Sequence, residues 1–183
     1  GNGGAASFFH IDADAFFVSV ALLSRPDLSS TTPIAVVSGL SETSEVCSAN
    51  YPARGFGLHA DMFVREAKKK CPGLVTIPTT ISLFEQLTVT ARLVYQILLH
   101  ITSRINPISC DEMTMQIVAT DGYPRPIMLA TVVRAHILRV TGCRFSIGVG
   151  HSAIMARFAT RKAKPPNDSG VFLVGDSGQA RAV

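Results

Sequence analysis

Four acidic side chains stand where chemistry is easiest to build. Asp12 and Asp14 close one apolar run, FFHIDADAFF, and Asp111 and Glu112 interrupt another, INPISCDEMTMQIV. Taken singly, each reads as an ordinary acid on a loop in water. Embedded in apolar sequence they need more, because carboxylates held close together repel and call for a compensating cation. Carboxylates brought from two strands to one end of a sheet can hold two divalent ions about 4 Å apart. Strand alternation puts Asp12 and Asp14 on one face. It puts Asp111 and Glu112 on opposite faces unless a turn re-aims one of them.

Two basic groups could meet a phosphate. Ser48, Tyr51 and Arg54 lie within SANYPAR, where a helical turn would make Tyr51 and Arg54 neighbours. A hydroxyl, a phenol and a guanidinium facing one way can hold a triphosphate through charge-assisted hydrogen bonds. Arg161, Lys162 and Lys164 form the second group. Either group alone reads as a solvated basic face; together with the acids they point to Mg-nucleotide chemistry. Phe16 and Phe17 follow the first acids directly. Two readings stay open for them: core, or a ring packed under a bound sugar that leaves no room for a 2′-hydroxyl.

The elements that must position these residues follow from the pattern. Ser7 to Asp14 reads as a buried strand and Phe16 to Ser24 as a helix stopped by Arg25-Pro26. Ile34 to Val37 and Glu45 to Ala49 read as paired strands, and Asn50-Tyr51-Pro52 as a helix start. Met62 to Lys70 reads as a helix carrying Lys68, Lys69 and Lys70 in its last turn, where cations suit the dipole. Phe84, Leu87, Ala91, Val94, Leu98 and Ile101 form one apolar stripe on a long helix. Strands over Ile105 to Cys110 and Met113 to Val118 flank Asp111-Glu112. A helix over Ile127 to Val140, a strand over Phe145 to Val149 and a helix over Ser152 to Ala163 complete the pattern, and Pro165 to Gly170 reads as a linker. With Phe16 to Thr80 set aside, the order is β, long α, β-β, α, β. That is the α+β, ferredoxin-like split βαβ plan with a small inserted lobe, and it makes the first strand and the middle hairpin neighbours.

Composition sets outer bounds. The chain has 183 residues, 47% hydrophobic, enough for one packed domain or a core with a smaller lobe. A formal charge of +4 is compatible with an anionic partner and weak on its own. Cys47, Cys71, Cys110 and Cys143 lack the Cys-x-x-Cys spacing of a zinc site and read as free thiols. No apolar run approaches a membrane span, so no membrane partner is expected. Gly1 to Ser7 reads as a frayed or extraneous lead-in.

Taken in order, FFHIDADAFFVSV, SANYPARGFG, SCDE and SIGVGHSAIMARFATRKAKP resemble the motifs of Y-family translesion DNA polymerases, over roughly Phe8 to Pro165. FFVSVALLSRPDL, GLHADMFVREAKKKCPGL and ARFATRKAKP resemble most the deoxycytidyl transferase branch, the reversionless DNA repair proteins. The resemblance implies a palm over 7–15 and 81–168, fingers over 16–80, and the start of a connection to an absent thumb over 169–183. It implies Asp12, Asp111, Glu112 and the Ala13 carbonyl as contacts to two Mg²⁺ ions, with Mn²⁺ as a substitute, and the three acids as catalytic. Phe17 matches the sugar gate, with Phe16 beside it; Ser48, Tyr51, Arg54 and Lys164 match triphosphate contacts. Asp14 matches an acidic position that is not usually a ligand. The implied partners are a DNA primer-template, an incoming dNTP, dCTP in this branch, and other translesion polymerases through regions absent here. The implied location is the nucleus. Pro52 replaces a usual Glu, and Asp61 a usual Gly, a position at which Asp tolerates unusual backbone angles better than most residues. Without a thumb, the chain alone is expected to extend a primer poorly. A palm-type nucleotide cyclase and a non-catalytic scaffold for repair polymerases are the alternatives. The first leaves Phe17 and ATRKAKP unexplained, and the second leaves the acids unexplained.

Overall fold

A computed structural model describes residues 6–118, 121–123, 125–167, 169–174 and 180–182. Most of the lead-in and much of 169–183 lie outside the described residues. The elements are β1 (Ala6–Ala13), α1 (Phe16–Leu23), β2 (Ile34–Val37), β3 (Val46–Ala49), α2 (Tyr51–Gly55), α3 (Val64–Lys70), β4 (Val75–Pro78) and α4 (Ile81–Leu99). Then come β5 (Ile105–Pro107), β6 (Glu112–Val118), α5 (Pro126–Thr141), β7 (Phe145–Gly150), α6 (Ala153–Ala163), β8 (Val171–Val174) and β9 (Ala180–Ala182). They gather into two compact units, one made of the residues up to Asp14 with those from Ala91 onward, the other of Ala15–Thr90.

The first unit is built on a six-stranded sheet of order β5-β6-β1-β7-β8-β9. Its β5-β6-β1-β7 part, with a helix after β1 and another after β6, is the split βαβ arrangement, and the fold is α+β. β1 is central and antiparallel to both neighbours, so its two faces can be read across three strands. Phe9, Ile11 and Ala13 share a face with Met113, Met115 and Ile117 of β6 and with Phe145, Ile147 and Val149 of β7. All nine are buried. The other face carries Phe8, His10 and Asp12, paired with Gln116, Thr114 and Glu112 on one side and Gly150, Gly148 and Ser146 on the other. The apolar face explains why the sheet forms; the polar face is where the acids lie.

Helix α6 packs on β1, β7 and β8. Its buried positions Ala156, Ala159, Thr160 and Ala163 are small, which lets the helix backbone approach the sheet closely. Two glycines of β7 complete that approach. A Cβ on Gly148 would collide with the Ala156 carbonyl and the Thr160 amide; one on Gly150 would sit 2.8 Å from Ala156 N and 2.9 Å from Met155 Cβ. Ser152 caps the helix, its Oγ accepting from Met155 N at 3.3 Å.

In the second unit β2 pairs antiparallel with β3 and parallel with β4. Ala35, Val37, Val46, Ala49, Ala53, Leu58, Met62, Val64, Ala67 and Cys71 form its core. Asn50 ties α2 to this sheet: its Oδ1 accepts from Ala53 N at 3.1 Å and Ile34 N at 3.0 Å. Pro52 sits in the first turn of α2, where a missing N–H is harmless.

Several expectations are corrected. Helix α3 starts at Val64, because the chain at Asp61 and Met62 is bound to Val46 by backbone hydrogen bonds of 2.9 and 2.8 Å. Asp61 does adopt a left-handed backbone, φ 69°. On α4 the buried stripe runs through Leu83, 6% exposed, while Phe84 is 53% exposed. Both residues lie three or four positions before Leu87, so spacing alone does not choose between them. The strand β4 was not expected, because it is a short run ending in proline on an edge. The segment after α6 is no free linker in its described part. Gly170 donates to the Ala163 carbonyl and accepts from Ile147 N, which turns the chain back to lay β8 along β7. No helix among the described residues is long and apolar enough to cross a membrane.

The glycine contacts give a direct test. Gly148→Ala should lower stability by about 1–3 kcal/mol or more, the usual cost of overpacking. Gly73→Ala should be near neutral, since a Cβ there meets nothing within 4 Å. Urea denaturation of the two variants would show the difference as a shift in midpoint.

Candidate active site

The polar face of the sheet gathers the acids at one end of β1. Asp12 and Glu112 are cross-strand partners, and Ala13 N donates to the Asp111 carbonyl at 3.0 Å. Asp111 lies in the bend before β6, so strand alternation does not govern it. Ser109 holds that bend: its Oγ donates to Asp111 Oδ1 at 2.6 Å and accepts from Glu112 N at 3.0 Å. Asp14 follows the end of β1, where Ala15 takes a left-handed conformation of φ 53°. It is buried and accepts from Ser146 Oγ at 2.8 Å.

Each acid has a resident partner. The Lys164 ammonium lies 3.0 Å from Asp12 Oδ1 and 3.3 Å from Asp14 Oδ1, and donates to the Ala13 carbonyl at 2.9 Å. Arg157 reaches Glu112 Oε1 at 3.0 Å. His10 Nε2 lies 2.8 Å from the same oxygen. On the other side of its ring, His10 Nδ1 is 2.9 Å from Thr160 Oγ1. Arg157, Thr160 and Lys164 are spaced three and four apart, so α6 presents one stripe to the acids.

Burial sets the electrostatics. It pushes the Asp12 carboxyl above its ordinary value; Lys164 pulls it back, and Asp111 and Glu112 push it further up. Burial holds His10 below the usual imidazole range against the opposing pull of Glu112. Among the described residues no group of three His, Cys, Asp or Glu side chains is gathered as a ready ion site. The donor set of Asp12, Asp111, Glu112 and the Ala13 carbonyl is nevertheless all oxygen, which suits a hard divalent ion. The side chains are turned to Lys164, Arg157, His10 and Ser109.

The second unit holds the other expected residues. Phe16 is buried and Phe17 half-buried, their rings edge to face at 6.3 Å between centroids. Ser48 is half-buried near the end of β3. Arg54 Nε donates to the Ala49 carbonyl at 2.8 Å, and its guanidinium lies 4.8 Å from the Tyr51 ring centroid. Tyr51 and Arg54 are therefore neighbours, as a helical turn requires. The basic group at the end of α6 divides: Lys164 turns to the acids, Arg161 lies over the exposed Phe158 ring at 5.7 Å, and Lys162 is exposed.

Sequence reasoning missed His10, Ser146, Arg157 and Thr160. A signal existed for two of them. His10 precedes Asp12 by two residues inside an apolar run, hence on the same face, and Arg157 precedes Lys164 by two helical turns. Nothing in the pattern marked Ser146 or Thr160.

Comparison with known proteins places these features. Residues 11–161 match the family described as impB/mucB/samB. The chain is 40% identical over 162 residues to the DNA repair protein REV1 of Arabidopsis thaliana, covering 87% of this chain and 14% of that protein. It is 34% identical over 160 residues to rev1 of Schizosaccharomyces pombe, covering 86% and 17%. It is 33% identical over 157 residues to a DNA polymerase IV of Neisseria meningitidis, covering 85% and 43%. The fold is that of DinB from Sulfolobus solfataricus, with a TM-score of 0.83 at 22% identity, covering 93% of this chain and 49% of that one. An insertion ternary complex of Dbh DNA polymerase gives 0.81 at 24% identity, covering 94% and 49%. The chain thus spans less than half the length of each of these proteins.

The Lys164 contacts predict a stability effect. Lys164→Met leaves Asp12 and Asp14 without their shared cation and should cost about 1–3 kcal/mol, the range for stranding a buried polar group. Lys162→Met, on the exposed side of the same helix, should leave the urea midpoint unchanged.

Proposed function

Because the chain belongs to the impB/mucB/samB family, the Y-family DNA polymerases, we propose that it carries the palm and fingers of a translesion polymerase that adds deoxynucleotides to a primer end. The palm is assigned to 7–15 and 81–168 and the fingers to 16–80. One observation carries the reading: Asp12 and Glu112 face each other at the end of the central strand, with Asp111 hydrogen-bonded alongside through its backbone. Asp12, Asp111, Glu112 and the Ala13 carbonyl would hold two divalent ions. Bound there, Mg²⁺ supplies positive charge to activate a primer 3′-hydroxyl and to neutralise a triphosphate.

The chain's own residues do the rest. With an ion held by the Asp12 and Ala13 oxygens, the Lys164 ammonium, which contacts both here, would be released to meet a phosphate oxygen. By the family resemblance Ser48, Tyr51 and Arg54 are assigned to triphosphate binding, with Arg54 resting over the Tyr51 ring. Phe17 packs against the sugar and excludes a 2′-hydroxyl, while Phe16 anchors it from the core. Pyrophosphate leaves as the new bond forms in line. Within this reading dCTP is the preferred nucleotide and lesions or abasic sites the natural template. Support comes from the deoxycytidyl transferase likeness of ARFATRKAKP and the two other segments, and identity to the two REV1 proteins leans the same way. A nuclear location and contact with other translesion polymerases follow by the same likeness.

The test is primer extension with each dNTP in turn, opposite template G and an abasic site, using a protein lengthened at both ends. dCMP should be added in preference to the other three. Absence of addition with any dNTP would overturn the reading. In that protein Asp111→Ala should lower the rate about 100-fold or more, as losing a group that stabilises developing charge does. Phe17→Ala should raise CTP use relative to dCTP; unchanged discrimination would make Phe17 core only.

A further inference from the structure

One buried group has no part in the chemistry described so far. His10 is 1% exposed, at the centre of the sheet, with both ring nitrogens engaged by side chains from different elements. A carboxylate can only accept, so opposite Glu112 Oε1 on β6 the ring serves as donor through Nε2–H. Thr160 on α6 then faces Nδ1 as a donor. Its hydroxyl lies 2.9 Å from Nδ1 and 3.0 Å from both the His10 and Ala156 carbonyls, so its single proton is shared among three acceptors. With Nε2–H given to Glu112, Nδ1 is the acceptor nitrogen that faces Thr160.

The outcome is specific to one carboxylate oxygen. His10 and Arg157 both meet Oε1, and among the described residues no protein group donates to Oε2. Of the two, His10 is the buried one: its side chain is 2% exposed and that of Arg157 57%. The close approach of α6 that fixes Thr160 depends in turn on Gly148, the strand partner of His10. A helix, a central strand and its neighbour are thus joined by two consecutive side-chain hydrogen bonds that end on one proposed metal ligand.

We propose that His10 is a positioning residue, oriented by Thr160, that fixes Glu112 through Oε1 so that Oε2 is offered to a divalent ion. The proposal rests on the metal-binding reading of Glu112 given above. Partners that orient a ligand commonly change metal affinity about 10- to 100-fold when removed. Glutamine places its amide nitrogen near the position of Nε2, whereas asparagine reaches only the position of Nδ1.

The experiment uses the 183-residue chain. Mn²⁺ alone is titrated and the free ion followed by electron paramagnetic resonance, with far-UV circular dichroism to check each fold. His10→Gln should bind close to the unmodified chain. His10→Asn and His10→Phe should bind about 10- to 100-fold more weakly. Thr160→Ser should keep affinity and Thr160→Val lose part of it. Equal Mn²⁺ affinity in the Gln and Asn variants would overturn the proposal, and that comparison survives if His10→Phe does not fold. Imidazole ¹⁵N resonances give a readout independent of metal: the Nε2-protonated tautomer supports the relay, and the Nδ1-protonated tautomer overturns it. A chain that shows the expected tautomer but binds no Mn²⁺ would overturn the metal-binding reading, and the proposal with it, while leaving the hydrogen-bond geometry standing.

Discussion

The structure of the first unit turns on one constraint: Asp12 and Glu112 face each other beside an apolar core, with Asp111 next to them through its backbone and Asp14 joined to Asp12 through Lys164. Like charges in this setting repel, and burial raises the cost of ionising Asp12. The chain meets that cost mainly with one helix. Arg157, Thr160 and Lys164 of α6 and its cap deliver two cations and a hydroxyl along a single stripe, and His10 completes the set from within the sheet.

That arrangement explains features that otherwise look unrelated. The small residues of α6 and the glycines of β7 are needed because Thr160 and Lys164 must approach the strands closely enough to reach their partners. The turn after α6 is tight because the chain must return to pair β8 with β7. Even the left-handed Ala15 has a place, since it ends β1 just after Asp14 and lets that side chain stay beside Ser146 and Lys164.

Much of this was legible in the sequence, for identifiable reasons. The apolar runs over Ser7 to Asp14 and Met113 to Val118 read as strands, and the split βαβ order made the acids of the first neighbours of Asp111 and Glu112; the second strand in fact begins at Glu112. Pro52 and Asn50 gave the start of α2. What was not legible depended on tertiary choice. Leu83 and Phe84 satisfy the same helical spacing, and packing alone buries the first. The edge strand β4 is too short to show a period. His10 looked like one more residue of a buried strand, because only the folded chain brings Thr160 and Glu112 to its two nitrogens. The basic cluster at the end of α6 was read as a unit. A helix separates Lys164 from Arg161 and Lys162 by direction, which composition cannot express.

The charge arrangement also bears on what kind of protein this is. Ion pairs held partly out of water are a poor source of stability, and apolar replacements of similar volume often do as well or better. A domain serving only as a scaffold would gain little from four acids, two cations and a buried histidine at the centre of its sheet. The proposed reading requires this compensation to be exchangeable. Lys164 sits at the end of its helix and touches Asp12 and Ala13 through oxygens that a divalent ion could equally use. Under the proposed reading, acids neutralised by a side-chain cation would be stable without metal and could still accept divalent ions, which is the property a two-metal nucleotidyl transferase would need.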